Sequence, residues 1–355
     1  MGKKTKTILL CLLPVQILLV KWASNHPDFI ENYYSNGIYP YISKGLRALF
    51  GWIPFSMGDV LYTALSIFII RYLYKNWKSI KAKPIAFLKD FGVLFSIVYF
   101  LFHLNWGLNY HRYPIATKLG LDREYTQEEL TGFIQYLTEK SNTYQSQITG
   151  DSISPVHIPY SKKEIFSMTQ EGYKELSKTY PEFAYNFSSQ KSSIYSIPLT
   201  YMGYGGYINP FTNEAQVNGI TPRFRLPTVS GHEVGHQLGY SAEDDTNFIG
   251  FWVTSVNEDP YFKYAAYSHA LGDCLSDLAR KDDVKFKEMI SQLNPGVREN
   301  FREISRFWAE YENPLEPVFK SIFNVFLKAN NQQEGIESYN AVVGLIISFH
   351  HKYGF

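Results

Sequence analysis

Cysteine is nearly missing from this 355-residue chain, which has only Cys11 and Cys274. Two cysteines that far apart argue against both a disulfide framework and a thiolate zinc site. Charge is also scarce. Asp, Glu, Lys and Arg make up 19 % of the residues and the formal net charge is +1, so no global field draws a nucleic acid. Internal repeats and low-complexity segments are absent as well. What abounds is aromatic: 17 % of the chain, with 28 Tyr and 26 Phe. Little charge with much Tyr and Phe suits a chain that lives partly in lipid and partly at its interface.

Apolar residues concentrate near the start, in three stretches at about residues 7–22, 57–74 and 91–108. Each approaches the ~20 residues a spanning helix needs. The first follows Lys3, Lys4 and Lys6 and contains Pro14. It could be a cleaved signal peptide, but no small-x-small site follows, and it reads as an anchor. The other two are apolar all round, without the stripe of a buried core helix. Arg71, at the end of the second stretch, and Lys75, Lys78, Lys81, Lys83 and Lys89, between it and the third, form a basic run. Such clustering marks the cytoplasmic side, as do the N-terminal lysines. Residues 1–109 are therefore expected to form a three-helix membrane region, multi-pass in a bacterial inner membrane. Residues 110–355 follow as a domain outside the cytoplasm. Trp22, Trp52, Trp77 and Trp106 fall where interfacial anchors belong.

The polar part predicts a mainly α fold with a small β-sheet (α+β). Thr126 to Glu129 has the pattern of a helix cap, and Leu130, Phe133, Ile134 and Leu137 follow on one face. A second helix is expected over residues 161–178, ending before Pro181. Residues 193–200 read as a strand, 201–207 as a glycine and tyrosine loop, and 214–218 as a half-buried edge strand. Helices are expected again from Thr228.

The chemistry centres on His232-Glu233-Val234-Gly235-His236. Positions four apart on a helix differ by about 40° around the axis, so the two imidazoles share a face and can hold one Zn²⁺. The metal lowers the pKa of its water towards ~7, which leaves Glu233 to take the proton as general base. Gly239 allows a sharp turn out of the helix. Beyond it, Glu243, Asp244 and Asp245 open an apolar stretch that can supply a third ligand, and spacing alone leaves all three open. A structural zinc site takes four protein ligands and has no use for a glutamate beside its first histidine. His103, inside the third stretch, is a functional hypothesis by position, with packing as the simpler reading. His269, Tyr264 and Tyr267 follow the acidic helix, where a Tyr or His could stabilise an oxyanion.

These motifs resemble a family of uncharacterised bacterial membrane proteins, known mainly from Bacteroidetes and assigned to the zincin-like metallopeptidases. The resemblance runs through Ile53-Pro54-Phe55-Ser56-Met57-Gly58-Asp59, Trp106-Gly107-Leu108-Asn109-Tyr110, Glu214-Ala215-Gln216-Val217-Asn218 and residues 232–248. It implies three N-terminal transmembrane helices followed by a zincin-like domain. Thr246-Asn247 stands where related sequences have Ala-Asn. A glutamate that begins a helix, followed four residues later by Asn, resembles one zincin group. It assigns the third ligand to Glu243 over Asp245, with Asn247 as an orienting residue. The expected activity is zinc-dependent hydrolysis of peptide bonds in a peptide or protein substrate at the lipid bilayer, with no nucleic-acid partner. Glu214, Gln216 and Asn218 would pair with extended substrate as a strand edge, and Tyr267 would contact it. The alternative is a non-catalytic zinc-binding sensor or assembly protein with the same fold.

Overall fold

The three apolar stretches form the helices Lys3–Ser24, Met57–Ala82 and Pro84–Asn105, each long and apolar enough to cross a membrane. They belong to a computed structural model that describes residues 2–332 and 341–354. The second helix continues past its apolar part through Arg71, Lys75, Lys78 and Lys81, good helix formers that need no loop. Only Lys83 separates it from the third, whose first residue is Pro84. The first and third helices lie side by side. Ser96 Oγ donates to the Leu9 carbonyl at 2.8 Å, and Gln16 Nε2 donates to Ser96 at 3.3 Å. Elsewhere their side chains are largely exposed.

Residues between the first two apolar helices fold onto the polar part. A π-helical segment, Ile30–Ile38, runs into the helix Tyr39–Phe50. Ile30, Tyr34 and Tyr39 bury themselves with Trp106, Tyr110 and Ile208.

The polar part is mainly helical. Thr126 and Ser161 each form a reciprocal capping box, with Glu129 and Glu164, so the helices Gln127–Thr149 and Lys162–Leu176 start where the sequence signals. With the helix Pro260–Lys281 they enclose the core, in which Leu130, Ile134, Val234, Phe248 and Leu271 are fully buried.

Three short strands complete the fold: β1 (Gln190–Ser192), β2 (Gly206–Asn209) and β3 (Glu214–Val217). Their order is β1-β3-β2, with β1 parallel and β2 antiparallel to β3. Two expectations fail here. Residues 193–200 are not a strand: Ser196–Tyr201 is a short helix. Pro198 lies in its first turn, where its missing N–H costs nothing, whereas a strand would lose a ladder bond. Nor is the 214–218 segment an edge. β3 is the central strand and buried throughout. Its polar/apolar alternation is real, but the polar side chains face the start of the second apolar helix instead of water. The 201–207 loop is shorter than expected, since Gly206 and Tyr207 already belong to β2.

Candidate metal centre

The motif residues lie on the helix Leu226–Gln237, and the carboxylates open the next helix, Glu243–Ser255. Gly239 makes the turn between them at φ +87°, a left-handed conformation that favours glycine. The His232 and His236 rings stand perpendicular, 4.7 Å between centroids. Each is oriented by its Nδ1. His232 Nδ1 pairs with Asn247 Oδ1 at 2.8 Å, and His236 Nδ1 donates to the Tyr240 carbonyl at 2.8 Å. A carbonyl only accepts, so His236 carries its proton on Nδ1 and keeps the Nε2 lone pair free to bind.

Both Nε2 atoms face Glu243. One carboxylate oxygen lies 3.4 Å from His232 Nε2 and the other 3.8 Å from His236 Nε2. The neighbouring acids turn elsewhere: Asp244 pairs with Arg123, and Asp245 Oδ2 accepts the Ile115 N–H at 3.1 Å. The geometry thus separates three residues that spacing left open. Glu233 also lies close, and the donor atoms of His232, Glu233 and His236 fall within 4.8 Å of one another. Two carboxylates therefore border the imidazole pair. Glu243 presents an oxygen to each ring, while Glu233 Oε2 is buried with no hydrogen-bond partner among the described residues.

A zinc ion bound at 2.0–2.1 Å in tetrahedral fashion holds its ligand atoms about 3.3 Å apart. The separations of 3.4 and 3.8 Å between Glu243 and the two rings suit that span. Glu243 thus stands within reach of both imidazole nitrogens.

Burial sets the protonation states. It lowers His236 to about 4, helped by His232, so this ring is neutral near pH 7. For His232 burial also acts downward, but Glu243 and Glu233 outweigh it and the net direction is up. Glu233 is pushed up to about 8 by burial, with His232 opposing and Glu243 adding. Its carboxylate sits against β2, where a Cβ on Gly206 would lie 2.4 Å from Oε1.

The centre opens into a cavity of about 810 Å³. Tyr204, Gly205, Gly206 and Tyr207 line one side, and Arg225, His269 and Asp273 another. His269 Nδ1 meets Thr228 Oγ1 at 2.5 Å, and burial holds its pKa well below the ordinary value.

The other anticipated contacts lie off the cavity. Glu214 caps the second apolar helix, accepting the N–H groups of Met57 and Gly58. Gln216 donates to Glu214 at 3.3 Å, and Asn218 Nδ2 donates to Thr200 Oγ1 and the Tyr204 carbonyl. All three belong to the central strand or its continuation, so none offers an edge to a substrate. Tyr267 stacks on Tyr144 in the core, 5.7 Å between centroids, and Tyr264 donates to Asn300 at 2.7 Å. On a helix, Tyr264 and Tyr267 turn to the face opposite His269 and Asp273. His103 bonds the Tyr99 carbonyl of its own helix at 2.9 Å.

Sequence reading missed the residues that close the motif helix. Trp106 Nε1 donates to the His236 carbonyl at 3.1 Å. Tyr39 and Ser43 both donate to the Gln237 carbonyl at 2.8 Å, and Arg112 donates to that of Gly239 at 2.9 Å. These contacts span up to 198 positions and leave no local pattern.

No curated protein and no solved structure matches the chain. A family model described as a protein of unknown function, DUF3810, matches residues 34–347. That match runs from the segment after the first apolar helix almost to the end, through the motif and acidic helices, and on it the chain belongs to the DUF3810 family.

Proposed function

We propose that this protein is a membrane-anchored, zinc-dependent peptidase with a zincin-like site. The observation that carries the reading is the pairing of a three-donor set, His232, His236 and Glu243, with a second carboxylate, Glu233, whose Oε2 has no hydrogen-bond partner among the described residues, inside a cavity. A fourth ligand in place of Glu233 would suit a structural zinc; a buried base beside an open position suits hydrolysis. Bound zinc supplies Lewis-acid chemistry and activates water near neutral pH. Glu233, which burial raises to about 8, would ionise beside a bound cation, take a proton from the attacking water at Oε2 and pass it to the leaving amine. Asn247 and the Tyr240 carbonyl hold the two rings in register. Extended substrate pairs with β2, the edge strand whose residues line the cavity.

In this reading the three apolar helices cross the membrane. The basic turn around Lys83 lies in the cytoplasm and the cavity lies outside it. The test is metal analysis of the full-length protein, followed by cleavage profiling on a peptide library. Bound zinc near one per chain, with cleavage abolished by a chelator and restored by zinc, is the expected result. A zinc-loaded protein that cleaves nothing in the library would overturn the catalytic reading.

A further inference from the structure

The cavity at the metal centre is not confined to the polar part of the molecule. One wall is the third apolar helix, through Phe95, Val98 and Phe102. The facing wall is the helix Glu316–Ala329, through Phe323 and Phe326. The rings of Phe102 and Phe326 meet edge to face, 6.4 Å between centroids. Residues 95 to 102 rise about 10 Å along their helix, so the cavity follows it that far from the metal centre. Phe95 and Val98 line the cavity yet remain 46 % and 39 % exposed. The cavity wall on this side is thus formed by residues of the apolar helix that are themselves partly exposed.

The helix Glu316–Ala329 carries a second apolar surface. Leu315, just before it, and Val318, Ile322 and Val325 are all more than half exposed. They recur every three or four residues and form one stripe turned away from the protein. Such a stripe, on a helix seated against the end of a proposed span, is the arrangement of a helix lying in a membrane interface. With the third apolar helix in the proposed span and Glu316–Ala329 in the interface, the cavity between them lies at the level of the bilayer.

We propose that this cavity admits the acyl chain of a lipid-modified peptide from the bilayer. The chain seats between the third apolar helix and Glu316–Ala329, and the adjoining amide is delivered to Glu233. The inference rests on the peptidase reading above, which makes the scissile bond an amide. Width favours a single chain over a helix as the occupant: a helix is 10–12 Å across, whereas an extended acyl chain is only about half as wide. An extended aliphatic chain fits the same space and matches its aromatic walls.

The test uses the full-length protein in phosphatidylcholine nanodiscs and one peptide sequence in two forms, N-palmitoylated and N-acetylated. The expected kcat/KM is at least about tenfold higher for the palmitoyl form, since remote binding drives the chemistry. Val98→Trp, which fills the chain's seat, should bring that ratio close to one. A second readout needs no turnover: a diazirine on the palmitoyl chain should form adducts with both walls, mapped by mass spectrometry. Adducts on both walls without cleavage of either peptide would keep the chain's seat and sink the peptidase reading. Equal cleavage of both peptides, with adducts scattered over the outer faces of the apolar helices, would sink the seat and keep the peptidase. Equal adduct yield from a diazirine phospholipid would overturn the assignment to a lipid-modified peptide.

Discussion

Two segments of this chain look alike as sequence and differ as structure. Glu214 to Asn218 and the His232 to Glu243 region are both polar, both buried and both near the middle of the chain. In the first, the Glu214 carboxylate is used up inside the protein, on the N-terminus of the second apolar helix and on Thr212 and Gln216. In the second, two imidazole nitrogens and two carboxylates converge on a cavity, and one carboxylate oxygen has no partner among the described residues. Burial of polar groups therefore marks neither segment as a site. What separates them is whether hydrogen-bonding capacity is spent on the protein or held for something that enters.

The comparison breaks most sharply at Glu233. Glu233→Gln should keep zinc content unchanged and lower peptide hydrolysis by about 10²–10⁴-fold. Unaltered turnover on a substrate that the parent cleaves would remove Glu233 from the chemistry. Zinc affinity comes next. Glu243→Ala should lose zinc outright, whereas Asn247→Ala, which only frees the His232 ring, should weaken it about 10–100-fold. Asp245→Ala, whose carboxylate faces Ile115, should leave zinc affinity near that of the parent. Zinc lost from the Asp245 variant and kept by the Glu243 variant would reverse the ligand assignment.

On the other side of the comparison, Glu214→Gln should cost about 1.5–3 kcal/mol of stability, because it removes the charge that accepts two helix N–H groups. KM and zinc content should stay constant; a rise in KM alone would return this segment to the substrate. A last prediction concerns Glu31, which belongs to neither segment. Burial acts to raise its carboxyl, but Arg112 and Lys118 overcome this and hold it at about 2, against an ordinary value of 4.5. A depressed carboxyl adds stability in full above about pH 4.5, and the contribution fades as pH falls towards 2. Glu31→Gln should therefore be less stable than the parent at neutral pH and equal to it at the acid end. Denaturation series across that range would show the two curves converging.

Much of this was legible locally. Thr126 with Glu129 and Ser161 with Glu164 announce their helices because a capping box is complete within four residues. The motif helix, the Gly239 turn and the acidic helix after it are local patterns too. The strand readings failed where the answer was not local. Alternation in 214–217 reports two different environments, but not that one of them is a helix N-terminus more than 150 positions earlier in the chain. Among Glu243, Asp244 and Asp245 the composition is nearly uniform, and only their rotation around the helix separates them. Arg225 and His269, which meet at 3.1 Å beside the cavity, lie 44 positions apart and carry no joint signal.

The hydrogen bonds from Tyr39, Ser43, Trp106 and Arg112 to the end of the motif helix have a consequence in time. Every one of these donors is synthesised before His232, and each lies beside or between the apolar helices. The four donors therefore already stand in the chain when the carbonyls of His236, Gln237 and Gly239, 127 to 198 positions later, are made.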